Sequence, residues 1–115
     1  MINFNNKQYE STSEIFFEIF NDRLKLYIIW YLQNNTLRFK ELLEVLQPIT
    51  KKTLTIKLKE LEGLNFIKRE VFAEVPPRVE YSLSKHGKEL KPVIDEILTW
   101  SQKYAKTFAT TVEEK

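Results

Sequence analysis

The spacing of apolar positions divides the chain into helical segments and two extended ones. Apolar residues recur at helical intervals in five places, at about 13–21, 23–32, 39–46, 50–63 and 84–110. Phe66 to Phe72 begins like a strand instead, and Val79 to Leu83 alternates between apolar and polar residues, which is typical of a strand with one buried face. Thr36 to Arg38 is long enough only for a minor strand. The predicted order is helix, helix, short strand, helix, helix, hairpin and helix.

Capping and turn residues mark the borders of these segments. The run 11–13 (Ser-Thr-Ser) offers caps for the first helix, and Thr50 caps the fourth. Gly63 is expected to end that fourth helix in the left-handed conformation. Ser84 caps the terminal helix, and Pro92 inside it predicts either a kink or a later true start.

Two adjacent prolines precede the second arm of the hairpin. Pro76 and Pro77 cannot donate to a strand ladder, so they belong in the connection between the two arms. Three short helices followed by a two-stranded antiparallel hairpin is the order of a winged helix-turn-helix, an α+β and mostly helical fold. Other small α+β domains share this order, so the periodicity does not by itself single out the topology.

Length and composition narrow the class of protein. The 115 residues suit one domain, 1–115, and the absence of Cys removes disulfides, thiol nucleophiles and thiolate metal sites. No run approaches the roughly 20 apolar residues of a membrane span, and no signal peptide is visible at the start, so a cytoplasmic protein without membrane partners is expected. The single His86 has no metal-ligand spacing around it, and no Gly-rich phosphate loop is present. We therefore expect no enzyme activity, no metal and no cofactor.

The net charge of +2 conceals an uneven distribution along the chain. Residues 1–22 carry one basic and four acidic groups, whereas residues 50–69 carry six basic and two acidic groups. A basic segment in a nearly neutral protein is typical of a surface that binds a polyanion. The alternative is a lysine-rich helix face that is merely solvated, and charge alone does not choose between them.

The predicted helix after Thr50 has two distinct faces. At about 100° per residue, Leu54, Leu58 and Leu61 cluster on one side and are expected in the core. The opposite side mixes cations, hydroxyls and one apolar group, and it consists of Lys52, Thr55, Ile56 and Lys59, with Lys51 and Thr53 nearer the start. Ammonium groups suit phosphates, hydroxyls suit base edges, and an apolar side chain can meet a thymine methyl. For Ile56 an ordinary exposed surface position is the alternative.

Three further cations flank this helix in the sequence. Arg38 and Lys40 stand at the start of the preceding helix, where they either contact phosphates or solvate a loop. Arg78 follows the two prolines and either reaches a minor groove or phosphate from the hairpin tip or pairs with Glu74 or Glu80. The full predicted DNA-binding set is Arg38, Lys40, Thr50, Lys51, Lys52, Thr53, Thr55, Ile56, Lys59 and Arg78.

A long motif in the middle of the chain resembles the HxlR-type bacterial transcriptional regulators, in the MarR-like superfamily. The shared pattern is RF-x-EL, then IT-x-K-x-L-T-x-K-L-K-x-L, then REVF-x-E-x-PPRVEY-x-L-S-x-x-G, and the likeness extends from about Ile15 to Trp100. Matching positions are Arg38, Phe39, Glu41, Leu42, Ile49, Thr50, Leu54, Thr55, Leu58, Leu61, Pro76, Pro77, Val79, Glu80, Tyr81 and Gly87.

The resemblance implies a homodimer that binds an inverted-repeat operator in double-stranded DNA and regulates transcription. It implies a DNA-binding unit at about 23–83, with the helix after Thr50 in the major groove. Lys52, Thr55 and Lys59 are then expected contacts, and Arg38 and Arg78 contact the backbone or the minor groove. At Ile56 the family more often has a polar residue.

Two features depart from the family's pattern. Many members sense electrophiles or oxidants through a cysteine near the N-terminus, and this sequence contains no cysteine, so we expect a regulator without such a switch. The family often has Gly-Gly-Lys-Trp before its second helix, where this chain has Asn21-Asp22-Arg23-Leu24. Asp22 is expected to cap that helix instead.

The first and last helices, at about 13–21 and 84–110, are expected to form the dimer interface. The terminal helix carries apolar positions over more length than one small domain needs to cover. The predicted dimer residues are Phe16, Phe17, Phe20, Val93, Ile94, Ile97, Leu98, Ser101, Tyr104 and Phe108. The alternative is that both helices only close the core of a single chain.

Two questions stay open at the level of sequence. Tyr27, Trp30, Tyr31 and Trp100 either line a ligand cleft between the dimer helices and the DNA-binding unit or belong to the core, so a small-molecule effector is neither identified nor required. A winged-helix module that binds an acidic protein partner is the alternative to a DNA-binding regulator. Steep salt dependence and preference for one inverted DNA sequence discriminate the two.

Overall fold

The N-terminal segment forms a hairpin that the apolar periodicity does not predict. In a computed structural model, which describes residues 1–110, strands β1 (Ile2–Phe4) and β2 (Lys7–Tyr9) pair antiparallel. The two residues between them, Asn5 and Asn6, have φ of 52° and 63°. A two-residue hairpin turn with positive φ at both positions favours Asn, and this was the signal available in the sequence.

Helices α1 (Thr12–Ile19) and α2 (Arg23–Leu32) begin at the caps that the sequence predicts. The carboxylate of Glu14 accepts hydrogen bonds from the backbone N–H groups of Glu10 and Ser11, at 2.8 and 3.2 Å. At the second helix the carboxylate of Asp22 accepts from the N–H of Leu24 at 2.9 Å. Both contacts satisfy donors at or just before a helix start that have no partner inside the helix.

The next three elements form the helix-turn-helix. They are β3 (Leu37–Arg38), α3 (Phe39–Val45) and α4 (Lys51–Gly63). The hydroxyl of Thr50 accepts from the N–H of Thr53 at 3.1 Å, so the predicted cap of α4 is confirmed. The prediction for Gly63 was wrong, because the helix includes this residue with negative φ and Asn65 takes the left-handed conformation at φ 68°. Asn tolerates that conformation better than most residues. The left-handed residue therefore lies two positions after the predicted one.

Strands β4 (Ile67–Phe72) and β5 (Arg78–Leu83) form the wing. Their antiparallel register pairs Ile67 with Leu83 at the base and Phe72 with Arg78 at the tip. The short strand β3 adds to the free edge of β5, so the sheet has three strands in the order β3–β5–β4. The two-stranded wing is therefore anchored to the helix-turn-helix through its second arm.

The C-terminal region consists of a single turn and a long helix. Ser84 caps the short helix α5 (Lys85–Lys88), and the long helix α6 (Lys91–Phe108) begins afterwards with Pro92 in its first turn. Of the two sequence alternatives, the later start is the one observed. Proline is tolerated there because its missing N–H has no partner within the first turn of a helix.

One apolar core joins the helices to the wing. Its fully buried side chains come from α2, α3 and α4, and they are Ile28, Ile29, Leu42, Leu54, Leu58 and Leu61. From 96 to 110 every residue is exposed, so most of α6 extends away from this core. The radius of gyration of 16.6 Å exceeds the value of about 13 Å expected for a compact chain of this length. Among the described residues, no helix is long and apolar enough to cross a membrane.

Candidate nucleic-acid interface

Helix α4 divides into a buried face and an exposed face, as its sequence predicts. Leu54, Leu58 and Leu61 are at most 2% exposed, which fixes the rotation of the helix against the core. The outer face of α4 is defined here as Lys51, Lys52, Thr55, Ile56 and Lys59. Thr55 is half-buried and the other four are exposed. Three ammonium groups therefore share one solvent-facing surface.

The threonine hydroxyls of α4 are partly committed to the helix itself. The Oγ1 of Thr55 donates to the carbonyl of Lys51 at 2.8 Å, so it is left as an acceptor toward any partner. The Oγ1 of Thr50 donates to the Oγ1 of Thr53 at 2.9 Å. Of these hydroxyl groups, Thr55 is the one on the outer face, and its free lone pairs suit a base-edge donor such as an exocyclic amine.

Two ion pairs hold the inner flank of α4 against the start of α2. Lys57 lies 2.6 Å from Asp22, and Lys25 lies 2.7 Å from Glu60. Burial opposes ionisation of Asp22, but Lys57 and the backbone N–H groups of α2 outweigh it and lower the pKa of the Asp22 carboxyl. The hydrogen bond that the Lys57 ammonium donates to the Asp22 carboxylate raises the pKa of Lys57 in turn, against the effect of burial. Lys57 is thus engaged within the protein, and the basic surface of α4 is reduced to its outer face.

Arg38 and Lys40 lie at the start of α3, close to α4. Both side chains are exposed, and the backbone N–H of Arg38 donates to the Glu41 carboxylate at 2.9 Å. Lys40 and Lys51 line the same shallow depression between α3 and α4. None of the ion pairs found within residues 1–110 involves Arg38, Lys40, Lys51, Lys52 or Lys59. The structure thus leaves five cations around the start and outer face of the helix-turn-helix for an anionic partner.

The wing adds a cation that the predicted site omits. Arg69 on β4 and Lys59 on α4 line one groove between the helix and the wing, together with Thr55 and Glu62. Arg69 is exposed and stands directly opposite Tyr81 in the ladder. Arg69 stands two positions after the buried Ile67, and this spacing was the signal in the sequence, because residues two apart on a strand lie on the same side of the sheet.

Arg78 is held along the wing in the described structure. Its guanidinium lies 3.4 Å from the Glu74 carboxylate and 3.3 Å from that of Glu80. It also covers the ring of Phe72, with 4.1 Å between the guanidinium carbon and the ring centroid. The structure therefore contains the ion pairs that the sequence offered as the alternative to a DNA contact.

The predicted dimer residues divide into an exposed group and a covered one. Exposed apolar side chains are Phe17 on α1 and Val93, Ile97, Leu98, Tyr104 and Phe108 on α6. Ser101 is exposed too, and its hydroxyl donates to the carbonyl of Ile97. Trp100, for which the sequence left open a ligand cleft or the core, stacks on Tyr104 at 5.2 Å, and Tyr104 meets Phe108 at 4.8 Å. Trp100, Tyr104 and Phe108 form what we call the aromatic ridge.

Two residues placed in the dimer interface belong to the core of the single chain. Ile94 is 5% exposed and Phe20 is 9% exposed, so neither has apolar area left for a second copy. Phe20 packs against Phe16 and Phe66, with ring centroids 5.0 and 5.7 Å apart. Phe16 itself is half-buried against the same core. Periodicity could not separate these positions because the core stripe and the exposed stripe share the same spacing on each helix.

The predicted aromatic cleft forms in a different place. Tyr27, Trp30 and Tyr31 line an open cleft of about 600 Å³ between α2 and the turn that leads into α4. Thr50 at the start of α4 also lines it, whereas no residue of α6 does. Of the two alternatives that the sequence left open, a cleft beside the terminal helix with Trp100 in its wall is therefore not the one observed.

The described residues contain little that suggests catalysis or metal binding. His86 is exposed and lies 3.7 Å from Glu89 of the same helical turn region. Within residues 1–110, no group of three or more His, Asp or Glu side chains is placed to hold a metal ion.

Fold, exposed basic helix and wing together define a transcriptional regulator of the winged helix-turn-helix type, and the comparisons with known proteins agree. The family model described as HxlR-like helix-turn-helix matches residues 19–108. The chain belongs to this HxlR-like family.

Several members of known sequence or structure are similar over most of the chain. YdeP of Bacillus subtilis, an uncharacterized HTH-type transcriptional regulator, is 39% identical over 76% of this chain and 68% of its own. The reduced form of the transcriptional regulator YodB from B. subtilis has a TM-score of 0.74 at 31% identity, covering 87% of this chain and 98% of that one. The redox regulator HypR in its reduced form has a TM-score of 0.80 at 30% identity, covering 84% and 96%.

Proposed function

We propose that the protein binds double-stranded DNA sequence-specifically, as a homodimer on an inverted-repeat operator, and that it does so without a cysteine switch. The observation that carries this proposal is the outer face of α4. Lys51, Lys52 and Lys59 are exposed there without an acidic partner among the described residues, next to Arg38 and Lys40. An exposed helix of this kind, supported by a second helix and a wing, suits insertion into a major groove.

Each residue of the site is proposed to have its own role. Lys52, Thr55 and Lys59 contact base edges or the adjacent phosphates from the middle of α4. The remaining residues of the site contact the DNA backbone or frame the groove, and they are Arg38, Lys40, Thr50, Lys51, Thr53, Ile56, Arg69 and Arg78. Phosphate contacts fix the register of the protein on the duplex, whereas base contacts supply sequence discrimination.

The dimer is proposed to form through α1 and α6. The aromatic ridge, Val93, Ile97 and Leu98 leave a continuous apolar surface on a helix that extends beyond the core, and Phe17 on α1 is 68% exposed. Monomeric proteins rarely expose apolar patches of this extent. A two-fold dimer covers the surface with a second copy and places two α4 helices for two half-sites.

The structural relatives include the redox regulator HypR in reduced and oxidised forms, and YodB in reduced, diamide-treated and quinone-bound forms. The 115 residues of this sequence contain no cysteine. Thiol oxidation and thiol addition therefore have no acceptor in it. We propose that regulation, where it occurs, acts through another chemistry.

Selection of bound fragments from genomic DNA tests the proposal and yields the operator. Wild-type protein is expected to enrich an inverted repeat, and its affinity is expected to fall steeply with salt. Replacing Lys52, Thr55 and Lys59 with Ala is expected to abolish operator preference without changing dimer mass or melting. As a control, the double variant Lys85→Ala/Lys88→Ala removes the same charge from another surface and should retain operator preference.

Two results would contradict the proposal. Sequence-indifferent or salt-insensitive binding to long DNA would exclude an operator-specific regulator and favour a module that binds an acidic protein. Retained operator preference in the triple variant would show that α4 is not the reading helix.

A further inference from the structure

The tip of the wing carries more negative than positive charge. Between positions 70 and 80 the acidic residues are Glu70, Glu74 and Glu80, and the sole basic residue is Arg78. Glu70 stands directly opposite Glu80 in the ladder, which places two like charges side by side. Such a pair is unfavourable, and the tip as a whole repels a polyanion. Contact between the tip of this wing and DNA therefore depends on what Arg78 does.

Arg78 has three partners, all on the wing itself. Glu74 and Glu80 each lie within 3.5 Å of its guanidinium, and the Phe72 ring lies beneath it. The Arg78 side chain is 29% exposed, so one edge of the guanidinium remains open to solvent. Glu74, at 49%, is the more exposed of the two carboxylates. Exposed ion pairs contribute little free energy, so a phosphate can replace a carboxylate at a small cost in free energy.

We propose that Glu74 and Glu80 hold Arg78 along the wing of the free protein and that a DNA phosphate takes the place of Glu74 in the complex. The inference rests on the proposed function, because it requires DNA as the partner. Phe72 and Glu80 keep the guanidinium in position while its exposed edge turns to the phosphate, a geometry that suits the planar fork of Arg. Glu74 is thus a positioning residue that lowers the affinity of the wing for DNA.

A double-mutant cycle on operator affinity tests this exchange. Glu74→Gln removes the competitor and is expected to tighten operator binding about 2- to 5-fold for each wing, or about 4- to 25-fold for a dimer with two wings. In an Arg78→Gln background the same substitution is expected to have little effect, because no guanidinium remains to be released. Arg78→Gln alone should weaken binding and reduce the salt slope by about two for the dimer, since one phosphate contact is lost at each half-site.

Glu70→Gln provides the matched control. It removes the same charge from the same wing, but Glu70 forms no ion pair with Arg78 in the described structure. Its effect on affinity is expected to be small and equal in the wild-type and Arg78→Gln backgrounds, because it acts only through overall charge. Melting curves of all variants check that the wing remains folded.

Two outcomes would overturn the inference while leaving the proposed function intact. Equal tightening by Glu74→Gln in both backgrounds would mean that Glu74 acts through net charge alone. An unchanged affinity and salt slope in Arg78→Gln would mean that Arg78 does not contact DNA. Failure of the proposed function is a different result, since the wild-type protein would then show no operator preference at all.

Discussion

Lys25 provides the sharpest test of how this fold positions α4. The side chain is 8% exposed, and its ammonium donates to the Ile19 carbonyl at 3.0 Å and pairs with Glu60 at 2.7 Å. Ile19 ends α1 and Glu60 belongs to α4, so one charge joins the first helix to the last turns of α4. We predict that Glu60→Ala destabilises the protein more than Lys25→Met does.

The magnitude follows from the burial of the two partners. Glu60→Ala leaves a buried ammonium with a single carbonyl acceptor, and an unpaired buried charge costs about 3–5 kcal/mol when removal of the partner is complete. Glu60 is 41% exposed, so water can replace part of the lost contact and we expect about 2 kcal/mol. Lys25→Met removes the charge together with its desolvation and keeps most of the packing, so about 1 kcal/mol is expected.

Urea unfolding at one fixed protein concentration measures both values. A loss of 2 kcal/mol should lower the midpoint by about 1 M at a slope of about 2 kcal/mol per M. In the Lys25→Met background, Glu60→Ala should cost almost nothing, because the buried ammonium is gone. Additive effects, or a larger loss for Lys25→Met than for Glu60→Ala, would refute the reasoning. A fixed concentration is needed because the proposed dimer would couple stability to concentration.

Two further predictions concern local features. Lys57 lowers the pKa of the Asp22 carboxyl in the folded protein. The ionised carboxylate therefore stabilises the fold above its unfolded pKa of about 4, and this stabilisation is lost as the pH falls through the folded pKa. Asp22→Asn should reduce the melting temperature at pH 7 and have a much smaller effect near pH 3. A Cβ at Gly87 would lie 2.2 Å from the Phe66 carbonyl oxygen, so Gly87→Ala should destabilise by about 1–3 kcal/mol in thermal melts. Gly63→Ala meets no atom within 4 Å and should stabilise α4 by about 0.5–1 kcal/mol; a loss at Gly63, or none at Gly87, would contradict this account.

The helices and the wing could be located from the sequence because their signals are local. Thr50 caps α4 by accepting a hydrogen bond from a residue three positions away. Tyr81 and Leu83 share the buried face of β5 because side chains two apart on a strand point the same way. The N-terminal hairpin was equally local, with Asn5 and Asn6 at its turn, but two three-residue strands are too short for an apolar period. The left-handed residue after α4 was misplaced because Asn65 and Gly63 both suit that conformation.

The rest depended on contacts between residues that are distant in the sequence. Sequence periodicity placed Lys52 and Lys57 in the same basic segment, but only the packing of α2 on α4 decided that Lys57 pairs with Asp22, which precedes it by 35 positions. The packing of α6 against α2 likewise buried Ile94 in the core and left Ile97 exposed, three residues further along α6.

What the sequence determined by itself is therefore the family, the order of the elements after the N-terminal hairpin and the outer face of α4, since short-range periodicity and a long motif carry that information. The tertiary structure decided which charges remain free to meet another molecule. Lys59 keeps an exposed ammonium, Lys57 does not, and Arg78 lies between two carboxylates. A charge is neutralised by whichever partner the fold brings within about 4 Å, and that distance depends on how the elements pack.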